Sequence, residues 1–278
     1  MVGWLSSCKP YLAGGGRIEA TPVGTRLILP PASAARYADA QLDDYAGLPR
    51  ARYPHRPPLR LTLRARFSHG LENSHGDTEK SQSAPCSACL RGSLLGTAGF
   101  GFWNNPFGPQ SKIPALPQAI WFFYASPPLN MALAHDVPGF GWKAACIDAG
   151  RATAWAWSPI ALPVMLLCRW PRLYRSIWPR AQRSLAISES SLTLREGDMT
   201  DWHTYELEWQ RGGTRWQVDG EIVLETDRAP RGPLGFVAWI DNQYAIVTPQ
   251  GKFGFGALDA PFEQWLELSG VEIRSPHP

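Results

Sequence analysis

Residues 201–226 read DWHTYELEWQRGGTRWQVDGEIVLET, and their reading decides the fold. Within DWHTYELEW, His203, Tyr205, Leu207 and Trp209 fall on one side of an extended chain and Thr204, Glu206 and Glu208 on the other, the period of a half-buried strand. Arg211-Gly212-Gly213 then turns the chain into TRWQVDGEIV, where Val218-Asp219-Gly220 makes a second tight turn. The segment predicts antiparallel strands joined by short loops.

Strands of the same kind extend outward from it. PLRLTLRARFS sets Leu59, Leu61, Leu63, Ala65 and Phe67 against Arg60, Thr62, Arg64 and Arg66. TRLILP, GTAGFGFWNN, AIWFFYASPP, GWKAACIDA, SLTLRE, PLGFVAWIDNQYAIVT, KFGFGAL and QWLELSGVEIR add further strands, and AIWFFYASPP is apolar enough to be central. Residues 1–58 read as a turn-rich start and a Tyr- and Pro-rich connection around TRLILP. The 26 glycines and 26 prolines among 278 residues suit many short strands. One all-β domain over 1–278 is expected, a sandwich of two antiparallel sheets interrupted twice. The interruptions are a polar loop at 70–92 and a helical insertion at 159–188, which Pro163, Pro171 and Pro179 divide into short helices.

The hairpin resembles that of the concanavalin A-like lectin and glucanase superfamily, in particular family 16 glycoside hydrolases, whose strands read approximately His-Thr-Tyr, two residues, Glu-Trp, then Val-Asp-Gly. Trp202 to Gly220 carry the match. GTAGFGFWN is similar to that family's Phe-Trp strand, and WLELSGVEIR to its closing strand. The resemblance implies a jelly roll with one concave, ligand-binding sheet. Family 16 supplies its nucleophile and acid/base from one strand as E-x-D-x-x-E, and retaining hydrolysis needs two carboxyl groups about 5–5.5 Å apart. The equivalent strand here, Ala119 to Pro128, has no carboxylate. The nearest spacing match, Glu196 to Asp201, approaches the hairpin and ends in Asp. Standard hydrolysis is therefore not expected, and no catalytic residue is assigned.

A ligand face remains. Trp239, Asp241 and Gln243 share one side of AWIDNQY and suit a sugar, the ring covering C–H faces while the polar groups fix hydroxyls. The plainer alternative is a buried Trp whose polar neighbours satisfy the backbone. Trp103, Asn104, Trp121 and Tyr124 would join the same face, although alternation lets only one of Trp121 and Tyr124 point into it. A divergent enzyme would use Asp241 or Asp148 as acid/base. Glu206 and Glu208 form a further carboxylate pair, for which a solvated outer face is the simpler reading.

His69, His75, Cys86 and Cys89 carry donors suited to tetrahedral zinc, but their spacing is that of no standard finger, and no metal or cofactor is expected. Five scattered cysteines and the absence of a leader-like start favour a reducing, cytoplasmic setting. The net charge is +3, and removing Arg151, Arg169, Arg172, Arg175, Arg180 and Arg183, which lie in a stretch free of acidic residues, leaves −3. Arg169, Arg172 and Arg175 beside Leu166, Trp170 and Ile177 suit a packed hairpin, a lid over an anionic or amphiphilic ligand, or contact between 159–188 and a membrane surface. Nucleic acid is not expected, because the basic residues are confined to one segment and lack a recognisable motif. The partner expected is a carbohydrate or another small molecule.

Overall fold

The structure is a computed structural model that describes residues 7–70, 93–106, 115–131, 134, 137–150, 161–191 and 198–275. Two seven-stranded antiparallel sheets form a jelly-roll sandwich. Sheet I contains β1 (Lys9–Ala13), β4 (Asp39–Asp43), β13 (Gly235–Asp241), β6 (Thr97–Trp103), β7 (Gln118–Ala125), β8 (Gly141–Asp148) and β9 (Ser188–Ser191), in that order. Sheet II runs β12 (Glu221–Thr226), β11 (Gly213–Val218), β10 (His203–Gln210), β5 (Leu59–Phe67), β16 (Gln264–Arg274), β3 (Thr25–Leu29) and β2 (Arg17–Ala20). A separate ribbon pairs β14 (Gln243–Val247) with β15 (Phe253–Ala257).

The segment 201–226 supplies three strands of sheet II, β10, β11 and β12. Leu207 faces Trp216 across β10 and β11, and Tyr205 faces Val218. Asp219 and Gly220 both adopt positive φ, 52° and 85°, as a two-residue type I′ turn requires. Asp219 stiffens the turn by accepting from the Thr204 amide at 2.8 Å and meeting His203 Nδ1 at 2.5 Å. On the other side β10 pairs with β5, Leu207 opposite Leu61.

Alternation makes the core. Inward residues of sheet II, such as Leu61, Leu63, Tyr205, Trp209, Trp216 and Leu266, meet Phe100, Phe102, Phe122, Trp142 and Phe236 from sheet I, all fully or almost fully buried. The rings interlock across the sheets: Tyr205 lies 5.0 Å from both Phe100 and Phe122, edge to face, and Trp142 lies 5.3 Å from Phe67. Edge-to-face packing lets each ring's positive rim meet its neighbour's negative face.

The outward face of sheet II is charged. Arg60 pairs with Glu206 and reaches Glu208 at 3.8 Å, while Arg215 joins Glu208 to Glu225. Glu206 and Glu208 are thus held in a half-exposed ion-pair ladder, the simpler of the two readings offered above.

The insertion is helical at α1 (Ala161–Leu167) and α2 (Pro171–Ser184). Pro171 starts α2, where a missing amide proton is harmless. Tyr174, Ile177, Trp178, Ala181 and Leu185 form its inward stripe, packed with Val164 and Cys168 of the preceding segment. Among the described residues no helix is long and apolar enough to cross a membrane.

Candidate functional site

The outer face of sheet I is built from strand registers that align its odd-numbered positions. Opposed pairs put Gln41, Trp239, Gly99, Phe123 and Lys143 in one row across β4, β13, β6, β7 and β8. The next row carries Asp43, Val237, Gly101, Trp121 and Ala145, continuing to Glu189. A third aligns Asp39, Asp241, Thr97 and Ala125.

The centre of this face is aromatic. Trp121 lies 5.5 Å from Trp239, 5.7 Å from Phe123 and 5.9 Å from Trp103, ring centre to ring centre. Glycine makes the room: a Cβ on Gly99 would come within 2.8 Å of the Trp239 ring, and one on Gly101 within 2.6 Å of Trp121 Cβ. Trp239 and Phe123 are largely covered, whereas Trp103 and Trp121 are only half-buried. Trp103 Nε1 donates to Tyr45 Oη at 2.6 Å, and Tyr45 stacks on Tyr53, so one wall of the aromatic patch is itself aromatic.

One flank is acidic. Trp239 Nε1 donates to Thr97 Oγ1 at 2.9 Å, and Thr97 donates to Asp241 Oδ1 at 2.7 Å. Asp241 also accepts from the Gln243 amide at 3.0 Å. Tyr37 Oη lies 3.0 Å from Asp39 Oδ2 and 3.4 Å from Asp241 Oδ2, bridging two carboxyl groups that face each other across β4 and β13. Both are buried. Burial, and then the charge of Asp241, lifts Asp39 well above the usual carboxylate range. Burial also raises Asp241, to about 6, with the hydrogen bonds from Thr97, the Gln243 amide and Tyr37 holding it down. A hydroxyl has one proton to give. The nearer acceptor of the Tyr37 proton is Asp39 Oδ2, with Asp241 Oδ2 the more distant one.

The opposite flank carries a buried ion pair. Lys143 Nζ lies 3.9 Å from Glu189 Oε2 and makes no hydrogen bond among the described residues. Burial pushes the lysine down and the glutamate up, and their mutual attraction opposes both shifts. The result is an aromatic floor between two polar poles.

The residues expected at the site divide accordingly. Trp239, Asp241, Trp103 and Trp121 share the outer face. Tyr124 does not: it points into the sandwich and donates to the Leu94 carbonyl at 2.8 Å. Asn104 is buried at the end of β6, where its side chain holds the Leu116 carbonyl and the Gln118 amide and so staples a loop. Gln243 leaves the sheet, because the strand breaks at Asn242. That buried amide accepts from the Ala38 amide and donates to the Arg36 and Leu258 carbonyls, and Gln243 is exposed at the start of β14.

Asp148 faces the opposite side of sheet I from Asp241 and accepts from Gln118 Nε2 at 2.6 Å, so the two cannot serve one centre. Arg169, Arg172 and Arg175 are exposed on the insertion, and Arg169 reaches the Gln250 carbonyl at 3.5 Å. His69 stacks on Phe262 and meets Ser68 Oγ, while His75, Cys86 and Cys89 lie outside the described residues. Among the described residues no cluster of three or more metal-ligating side chains occurs.

Tyr37, Asp39, Lys143 and Glu189 were not picked from sequence. A usable signal for Asp39 was the alternation of Ala38, Ala40 and Leu42 with Asp39, Gln41 and Asp43, which marks a half-buried strand inside a segment read as connection.

No protein-family model matches the chain, and no curated protein matches it by sequence. Solved structures similar to it include an apo Crh5 transglycosylase, 9% identical over 100% of this chain and 82% of that one, with a TM-score of 0.47. The potassium-bound carbohydrate recognition domain of Emp46p is 12% identical over 95% and 89%, TM-score 0.43. Rv0315 of Mycobacterium tuberculosis, described as an immunostimulatory antigen and pseudo β-1,3-glucanase, is 11% identical over 90% and 75%, TM-score 0.41. The jelly-roll sandwich itself is read from the two seven-stranded sheets.

Proposed function

We propose that the outer face of sheet I binds a carbohydrate and that the chain does not carry out family 16 hydrolysis. The observation that carries this reading is the half-buried Trp121–Trp103 surface set between the Asp39–Tyr37–Asp241 group and the Lys143–Glu189 pair. Indole faces match the C–H faces of a pyranose, and flanking polar groups supply direction. On β7, the strand that would carry the hydrolytic carboxylates, the outward positions are Ala119, Trp121, Phe123 and Ala125. The sandwich fold shared with a transglycosylase and a carbohydrate recognition domain agrees with this reading.

A second reading has one observation in its favour: Asp241, raised to about 6 by burial and facing the buried Asp39 carboxyl across β4 and β13, is poised for proton transfer near neutrality. A screen of purified protein against soluble glycans, followed by thermal stability and by mass, separates the two. Stabilisation with unchanged glycan mass is expected. Product formation that Asp241→Asn abolishes would replace binding by catalysis, and the absence of any stabilising glycan would refute both.

A further inference from the structure

The β14–β15 ribbon and the helical insertion expose apolar side chains that the carbohydrate reading does not use. Phe253 is 61% exposed and Phe255 68%, on the same side of β15. At the corner between α1 and α2, Trp170 is 59% exposed, and Leu166, Leu167 and Leu173 are about 40% exposed. The two sets are neighbours. A Cβ on Gly251 would lie 3.2 Å from Met165 Cε, and Arg169 Nε reaches the Gln250 carbonyl. Two residues of strand then put Phe253 about 7 Å further on. Large side chains exposed together, from two elements distant in sequence, mark an interaction surface rather than the scatter of single apolar residues found on any protein.

Its charge selects the occupant. Arg169, Arg172 and Arg175 are exposed at this corner, Arg180 and Arg183 are exposed further along α2, and no acidic residue occurs between Asp148 and Glu189. α2 turns its apolar stripe onto Val164 and Cys168, and Arg172 and Arg175 are exposed. Aromatic and leucine side chains flanked by arginines suit the interface of an anionic bilayer, where apolar burial and attraction to headgroups add.

We propose that this corner docks the protein on an anionic lipid surface, with Trp170, Phe253 and Phe255 entering the headgroup region and Arg169, Arg172 and Arg175 lying among lipid phosphates and carboxylates. The lipid surface and the carbohydrate are read from different residues, and neither proposal depends on the other.

The test is sedimentation of the full chain with vesicles of phosphatidylcholine alone and of phosphatidylcholine mixed with phosphatidylserine. Binding to the mixed vesicles, weakened by added salt, is expected. The triple change Arg169→Gln, Arg172→Gln, Arg175→Gln should lower partitioning about a hundredfold, near fivefold per arginine. Phe253→Ser with Phe255→Ser should lower it at least tenfold, and these exposed sites should leave the thermal midpoint in place. Wild-type protein that stays in the supernatant with both vesicles, or a triple variant that partitions like the wild type, would overturn the proposal. So would equal binding to neutral vesicles, or self-association abolished by the phenylalanine changes without vesicle binding.

Discussion

Replacing Asp241 by Asn should change how stability depends on pH, by an amount the site itself sets. The carboxyl moves from its ordinary 3.8 to about 6 in the fold. The folded chain therefore binds this proton more tightly than the unfolded chain. Stability from this group is full below about pH 4 and is lost as pH rises through about 6, and a shift of roughly two units corresponds to about 3 kcal/mol. Asn keeps the shape, can accept from Thr97 and the Gln243 amide, and can donate to Tyr37, but it never takes a charge. Urea unfolding of both proteins between about pH 4 and 7 measures the effect. The stability difference, variant minus wild type, should rise with pH by about 3 kcal/mol from Asp241, and loss of the Asp241 charge, which lifts Asp39 in the wild type, acts in the same direction. Glu267 titrates in the opposite sense, since hydrogen bonds from Thr21, Arg26 and Arg66 outweigh its burial and pull it down. That contribution is common to both proteins and cancels. A difference that is flat or falls with pH would refute the carboxyl pair as described.

Three other outcomes follow from the same structure. Gly99→Val should lower stability by about 2 kcal/mol or more, because even a Cβ there lies 2.4 Å from the Phe122 carbonyl and 2.8 Å from the Trp239 ring; an unchanged thermal midpoint would show that Trp239 does not lie over Gly99. Lys143→Met and Glu189→Leu should each cost a few kcal/mol and the double change less than their sum, since each single change strands a buried partner; strict additivity in a double-mutant cycle would deny the pairing. Glu206→Gln with Glu208→Gln should alter stability by about 1 kcal/mol or less and leave glycan binding intact, and loss of binding would move the site to the outer face of sheet II.

Much of this was legible from residue alternation. The clean patterns of PLRLTLRARFS and HTYELEW became β5 and β10 because one face of each is buried and the other solvated. The edge and outer strands were harder. KPYLA is mostly exposed and read as part of a turn-rich start, and the strand DAQLD is flanked by tyrosines and aspartates that suggest a loop. That lapse hid Asp39, half of the carboxyl pair. The spacing of PLGFVAWIDNQYAIVT reads as one strand through to Thr248, whereas Asn242 ends it by bonding two backbone carbonyls and an amide. A side chain's choice of distant backbone partners leaves no periodic trace, so Gln243 could not be excluded from the face by spacing. Lys143 was hidden for another reason. It stands in an apolar strand, GWKAACID, and its burial depends on which strands lie beside it.

Binding at the outer face of sheet I is tested most directly by calorimetric titration of a glycan that stabilises the protein into wild type, Trp121→Ala and Trp265→Ala. Trp265 lies on the opposite sheet under Arg26 and Arg66, and so serves as a tryptophan control. Loss of one stacked indole should weaken binding about tenfold or more for Trp121→Ala and leave the Trp265→Ala isotherm unchanged. Equal affinity for Trp121→Ala and wild type, or a loss confined to Trp265→Ala, would contradict it.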